Sequence, residues 1–472
     1  MAVKKTIGIS EQYIWLLIIL GLSLAARLWL YRPQVLLSDA SAYILMGKYI
    51  FSSGQAGLIE PLRPLAWPLM LGFAGWVGLD PVFLGSVLNI SFSLGSITLV
   101  YLIACELFDA KAGLLAAMFL ALSPANFFWG NCLCSEVPAC FFGLLAFYLY
   151  VREHDGWAGA LVVFSFFVNF IQIIVVAFVG LGLLFEVTRF KKYRRYVWFL
   201  TGGAAVTLVF LLFQWSLYAD PFYPFVHGKA IYNQVSYNWY EGFIRAAFDV
   251  LKVEHAALTL APLGIWYVLR GRGRMEVIVL ALIALCFFIW IGKFSTSSVR
   301  YAILVLPYAY IFSAVGFLRM FQSVNDRDIV FRIWLAFMIM SAFPLYKIIT
   351  VKFSTDKPDA FQSFAMNNEG ALKSKRIWVS SPRELVLTNL KADQMMYYPV
   401  FNAKRARDLR ASLSGADVLF LDTGNLVCVP ADDSACLPAK ARLIGDIENN
   451  FKAVQYNKDG HGEIRAIYER KK

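Results

Sequence analysis

Apolar runs of about 20 residues follow one another through the first 350 positions, and they dictate what this chain can become. A helix of about that length crosses the hydrocarbon of a bilayer, satisfying its backbone N–H and C=O groups within the segment. The windows fall near 13–31, 82–104, 112–128, 133–151, 156–170, 171–187, 196–215, 255–270, 275–292, 299–318 and 329–349. Composition agrees, with 59% hydrophobic and 16% charged residues, against about 45–50% and 25% in soluble chains. The charges are also unevenly spread. Residues 352–472 carry 19 Lys+Arg and 15 Asp+Glu, 34 of the 76 charges in a quarter of the length. The expected fold is therefore a polytopic α-helical membrane protein of about eleven transmembrane helices over 1–351, followed by a small extracytoplasmic α/β domain over 352–472. Disorder, collagen and disulfide scaffolds are excluded. Lys4 and Lys5 ahead of the first span faintly suggest a signal peptide, but ten further spans favour an uncleaved helix.

The formal net charge of +12 does not mark a nucleic-acid binder. Much of the excess sits between spans, at Arg189, Lys191, Lys192, Arg194 and Arg195 and again at Arg270, Arg272 and Arg274. Cytoplasmic loops are marked in this way. With the N-terminus inside, these clusters and Arg319, Arg327 and Arg332 share the cytoplasmic side. The loops 32–81, 216–254 and 293–298 and the C-terminal domain then lie outside, which requires an odd number of spans. The chain is expected in the cell (inner) membrane, with no nucleic-acid partner.

In the tail, Arg376–Ser381 and Ala416–Asp422 read as buried strands, and Glu463–Glu469 alternates like an edge strand. Pro382–Ala392 and Asn402–Ser414 read as helices. Five of the seven cysteines lie in or beside spans as small apolar residues, whereas Cys428 and Cys436 are eight apart in an outer loop, where a disulfide is open. Four His leave few ligands for a His-based metal site.

The residues able to do chemistry are the charges near the outer face. A helix over 39–52 places Asp39 and Tyr43 one turn apart on one face; Asp39 or Ser38 is equally suited to cap that helix. Arg63 stands in Arg63-Pro64-Leu65-Ala66-Trp67-Pro68, stiffened by two prolines, and suits a phosphate or a lipid headgroup. Glu136, in Ser135-Glu136-Val137-Pro138, lies at the outer end of an apolar helix. A carboxylate there needs a partner or a water-filled cavity, which makes it a functional candidate. Arg300 opens a span, followed by Tyr301 and preceded by Lys293; it is either a phosphate ligand or an interfacial anchor. The aromatic stretch from Asp220 to Tyr240, with Tyr223, Tyr232, Tyr237 and Trp239, suits an interfacial belt, sugar stacking or an isoprenoid guide. Under one topology Asp39, Arg63, Glu136, Lys293 and Arg300 all reach the outer face, which suits an amphipathic substrate with its phosphate at the interface.

At Asp39…Tyr43, Arg63-Pro64…Pro68, Leu122-Ser123-Pro124 with Ser135-Glu136-Val137-Pro138, and Arg300-Tyr301…Pro307, the sequence resembles the GT-C superfamily of integral-membrane glycosyltransferases. The likeness is to its family 39-like members, the protein mannosyltransferases and lipid A aminoarabinose transferases, and covers about residues 10–320. It implies a polyprenyl- or dolichyl-phosphate sugar donor, transfer to a glycan, lipid or protein acceptor outside the cytoplasm, and inversion at the anomeric carbon. Asp39 would be the catalytic base. Members often carry Asp-Glu where this chain has Asp39-Ala40. The chemistry needs a carboxylate to accept a hydroxyl proton and cations on the leaving phosphate, for which Arg63, Lys293 and Arg300 are the candidates with Tyr43 and Tyr301 beside them. No cofactor is expected, a divalent metal remaining possible. The rivals are an O-antigen-ligase-like transferase using a diphosphate-linked glycan and a lipid or sugar transporter. A transporter would show paired repeats and broken mid-membrane helices.

Overall fold

The computed structural model describes residues 9–29, 38–228, 239–254, 256–270, 274–292, 298–321, 358–398, 400–429, 433–458 and 463–471. The chain divides into two compact units. One comprises 1–32, 86–213 and 236–353; the other comprises 33–85, 214–235 and 354–472. The segment 33–85 after the first span thus folds with the C-terminal domain, although some 270 residues separate them along the chain.

The first unit is helical. Among the described residues four helices are long and apolar enough to cross a membrane: Glu11–Trp29, Pro81–Leu107, Phe170–Phe190 and Tyr193–Tyr218. Five shorter apolar helices, Ala110–Ala121, Glu136–Val151, Asp155–Val168, Ala256–Arg270 and Met275–Ile291, coincide with expected spans. The span expected at 329–349 lies outside the described residues. Leu22, Leu28 and Val209 are well exposed on these helices, as lipid-facing residues should be. The chain is a helical membrane protein.

Two expected spans are broken, and the breaks have local causes. In the window 112–128 the helix stops at Ala121 and restarts as Pro124–Trp129, because Ser123 caps the new helix by accepting from the Asn126 amide at 3.1 Å and Pro124 occupies its first turn. In the window 299–318 a short helix, Ser298–Ala302, is followed by Leu306–Met320 with Pro307 near its start. The boundary within 156–187 is set by Asn169, whose extended backbone and side chain cap the turn Phe170–Gln172. Helices Ala261–Arg270 and Leu306–Met320 touch backbone to backbone at Gly264 and Gly316, where any side chain would strike the neighbour's main chain.

The second unit holds a five-stranded sheet: β1 Ile377–Val379, β2 Gln394–Met395, β3 Val418–Asp422, β4 Phe451–Lys458 and β5 Ile464–Arg470, in the order β2-β1-β3-β5-β4. β1 runs parallel to β2 and β3, and β5 antiparallel to β3 and β4. One face packs Trp378, Leu419, Leu421 and Tyr468 with Leu409, Leu443 and Ile447 from the helices Ala403–Ser412 and Cys436–Asn450. Phe361 and Phe364 cover Phe420 on the other, so β3 is buried on both faces and reads as an unbroken apolar run. Two expectations are corrected. Glu463–Glu469 is not an edge strand, since β4 pairs outside it. Pro382–Ala392 is not a helix but a single 3-10 turn, Pro382–Glu384, followed by turns. Cys428 and Cys436 form a disulfide, with Cα atoms 6.0 Å apart.

Candidate functional site

Asp39 lies in the first turn of the helix Ser38–Phe51, where the helix dipole favours a carboxylate. That helix crosses Ala66–Trp76 at Gly47 and Gly72, whose backbones approach too closely for any side chain at either. Between the helices the chain doubles back through Gly54 and Gly57, both with positive φ, which a side chain would strain. Gly57 is fixed by β-type pairing: its amide donates to the Leu390 carbonyl and its carbonyl accepts from Ala392, both at 2.9 Å. The Lys48 ammonium donates to the carbonyls of Val386 and Thr388 at 2.9 and 2.7 Å. Burial lowers its pKa to about 8, against the pull of Glu369 and Asp80.

This frame returns Arg63 to the start of the Asp39 helix. Arg63 Nη2 meets Asp39 Oδ1 at 2.6 Å, and Arg63 Nε is ion-paired with Glu60 Oε2. The Arg63 guanidinium lies 5.1 Å from the centre of the Tyr43 ring, a cation–π contact that uses the expected one-turn spacing of Asp39 and Tyr43. Tyr397 donates its phenol proton to Glu60 Oε1 at 3.1 Å, and the Leu62 amide donates to the Tyr398 hydroxyl at 2.9 Å. The carboxylates differ in access. The Glu60 side chain is 1% exposed and that of Asp39 29%, so Asp39 is the more accessible of the two. Burial pushes Glu60 above the usual carboxylate range, while Arg63 and Tyr397 pull it down. Burial also works against the charge on Arg63, but Asp39 and Glu60 outweigh it and hold that guanidinium firmly protonated.

In the first unit, Arg300 Nη2 pairs with Glu136 Oε1 at 2.8 Å; the side chains are 12% and 2% exposed. The guanidinium lies 5.9 Å from the Trp129 ring centre and 5.7 Å from that of Tyr301. Ser135 accepts from the Asn169 amide group at 3.1 Å. Glu136 thus has the partner its position demanded, and Arg300 is held by it. Lys293, Tyr232 and Tyr237 lie outside the described residues. Tyr223 stacks on Tyr218 and lies 4.2 Å from the His227 ring, as an aromatic cluster of the second unit.

Sequence reading passed over several buried charges, among them Glu60, Glu254 and Arg27. Glu60 has no periodic or motif signal, since its partners are a neighbour in a loop and a tyrosine 337 positions away. Glu254 accepts from the Ala125 amide at 2.9 Å and from the Tyr310 hydroxyl at 2.6 Å, pinning the helix that carries Trp129. Arg27, wholly buried, donates to Ser93 and to the Phe127 carbonyl. A charge inside an apolar run was the signal available for Arg27.

Among the described residues no three His, Cys, Asp or Glu side chains gather as a metal site would require. Between Asp39 and Glu60 the positive charge is that of Arg63.

No family model and no curated protein matches the chain by sequence. Solved structures do. The Archaeoglobus fulgidus oligosaccharyltransferase, in a complex with Zn and sulfate, matches with a TM-score of 0.64 at 13% identity, over 96% of this chain and 72% of that one. ArnT from Cupriavidus metallidurans, bound to undecaprenyl phosphate, matches with a TM-score of 0.62 at 11% identity, over 96% and 98%. This chain has the GT-C fold. The mycobacterial arabinofuranosyltransferase AftD shares it, with a TM-score of 0.55 at 14% identity, over 97% of this chain and 40% of its own.

Proposed function

We propose that this chain is a glycosyltransferase that moves a sugar from a polyprenyl-phosphate donor to an acceptor hydroxyl outside the cytoplasm, with Asp39 as base. The observation that carries the reading is an accessible carboxylate, Asp39, held by an arginine on a GT-C fold. In the step proposed, the acceptor oxygen bonds to the anomeric carbon from the face opposite the phosphate, inverting it. The hydroxyl proton passes to Asp39, and the bond from the anomeric carbon to the lipid-phosphate oxygen breaks. The leaving phosphate is already stable as an anion, so no general acid is needed. Positive charge on its oxygens is the requirement, and Arg63, beside the base, is the proposed source. On its own geometry, Arg300 with Glu136 and Tyr301 of the first unit is proposed as a binding element for lipid phosphate, which matches in chemistry the undecaprenyl phosphate of the ArnT structure. No step calls for a metal. The acceptor is a glycan, lipid or protein hydroxyl, and membrane lipids surround the helices.

The test uses purified full-length protein in nanodiscs with undecaprenyl-phosphate-linked sugars, reading release of undecaprenyl phosphate. Asp39→Asn keeps the shape but cannot take the proton. It should lower turnover by about 10²–10⁴-fold with undecaprenyl phosphate still bound. Turnover near the wild-type rate in Asp39→Asn would remove Asp39 from the mechanism.

A further inference from the structure

Within the second unit one contact from the C-terminal segment reaches the Glu60 carboxylate: that of Tyr397, just beyond β2. Its hydroxyl holds Glu60, and Glu60 holds the Nε edge of Arg63, whose Nη2 is turned to Asp39. We propose that Tyr397 and Glu60 are positioning residues for Asp39: anchored by Tyr397, the Glu60 carboxylate occupies one edge of the Arg63 guanidinium and keeps that arginine from closing on the base. The base role rests on the reading above.

The argument is one of hydrogen-bond geometry. A guanidinium presents donors in a planar fork, and its preferred partner is one carboxylate gripped bidentately through two parallel N–H bonds. A base gripped in that way has both oxygens committed and a poor affinity for a proton. Arg63 is instead shared: Glu60 takes Nε, Asp39 meets Nη2, and the Tyr43 ring, 5.1 Å from the guanidinium, restrains its plane. Glu60 is buried at 1% exposure, so its orientation depends on what it bonds. The groups facing it are Arg63 and Asp39 from the outer loop and helix, and Tyr397 and Tyr398 from the C-terminal segment. Tyr398 is bonded to the Leu62 backbone, which leaves Tyr397 as the phenol that orients the carboxylate. The pairing of Gly57 with Leu390 and Ala392 sets the register that makes the contact.

Isotope-edited infrared titration of the full-length protein in nanodiscs tests this without any substrate, with Asp39→Asn and Glu60→Gln used to assign the two carboxyl bands. Tyr397→Phe removes a donor that stabilises ionised Glu60, so the Glu60 midpoint should rise by about one pH unit. Arg63, released, turns to Asp39, whose midpoint should fall by about one unit. Glu60→Gln should produce the same fall at Asp39 and serves if Tyr397→Phe does not fold. Tyr398→Phe should leave both midpoints in place. If wild-type protein transfers sugar, Tyr397→Phe should lower kcat about tenfold at unchanged donor KM and move the pH profile with the Asp39 midpoint. An Asp39 midpoint at its wild-type position in both Tyr397→Phe and Glu60→Gln overturns the proposal. A wild-type protein that turns over no lipid-phosphate sugar overturns the transferase reading, while the titration still decides the link from Tyr397 to Asp39.

Discussion

A half-buried arginine is stabilised by the carboxylates around it, and in this chain two such arginines, Arg63 and Arg300, carry the candidate chemistry. For Arg300 the pairing with Glu136 changes how its role must be tested. Arg300→Ala strands a carboxylate that is 2% exposed, which should cost about 3–5 kcal/mol of stability whatever the arginine does for substrate. The double change Arg300→Ala with Glu136→Ala removes both charges and should recover most of that loss in thermal unfolding. If Arg300 binds lipid phosphate, the stable double variant should still hold undecaprenyl phosphate at least about tenfold more weakly by native mass spectrometry. Wild-type affinity would make the pair structural. Arg300 and Glu136 were both legible in the sequence because a charge beside an apolar run is conspicuous. That they bond each other was not, since 164 positions separate them. Glu60 was illegible for a different reason: an acid in a loop looks solvated until its distant partners are known.

Individual elements were legible where the local code was strong. β1 and β3 announced themselves as short apolar runs, and Asn402 caps its helix by accepting from the Arg405 amide at 2.9 Å. β4 escaped because its residues after Phe451 are exposed, so no alternation of apolar side chains marks it. Pro382–Ala392 misled because Ser381-Pro382 is a good helix start, yet Glu384 turns inward instead of continuing a helix. The Glu384 carboxyl, 3% exposed, accepts from the Ser380 hydroxyl at 2.7 Å and the Ser380 amide at 3.2 Å, directly after β1. Burial holds it well above the usual carboxylate range despite those donors. The sign follows from linkage. A folded pKa above the unfolded one means that its contribution to stability is whole below the unfolded value, about 4.5, and fades as pH rises through the folded value. Hydrogen exchange at β1 should therefore show faster opening as pH is raised from acid to neutral, after correction for intrinsic exchange. Glu384→Gln, isosteric and uncharged, should flatten that dependence; an unchanged slope would assign it to other groups.

At the scale of the whole molecule, hydropathy and charge distribution announced a helical membrane protein with a separate tail. They did not announce that the tail folds as one unit with residues 33–85 and 214–235. Sidedness is open to a direct test. A reporter fused after residue 350 should be active only outside the cytoplasm, and one inserted at 270–274 only inside, as the Lys/Arg asymmetry requires. A cytoplasmic tail would reverse the assignment.

The bonds from Lys48 to the carbonyls of Val386 and Thr388 also set a clock. Lys48 leaves the ribosome 338 residues ahead of Val386, and at about 5–20 residues per second that interval lasts roughly 20–70 s. Throughout it, the helix bearing Asp39 has been made but lacks the segment 386–392 that fixes it and its loop. The carboxylates of Asp39 and Glu60 and the cations of Lys48 and Arg63 must spend that time hydrated or in borrowed company. The Asp39 cluster is therefore assembled only once residues 386–398 have followed, long after Asp39 itself is made.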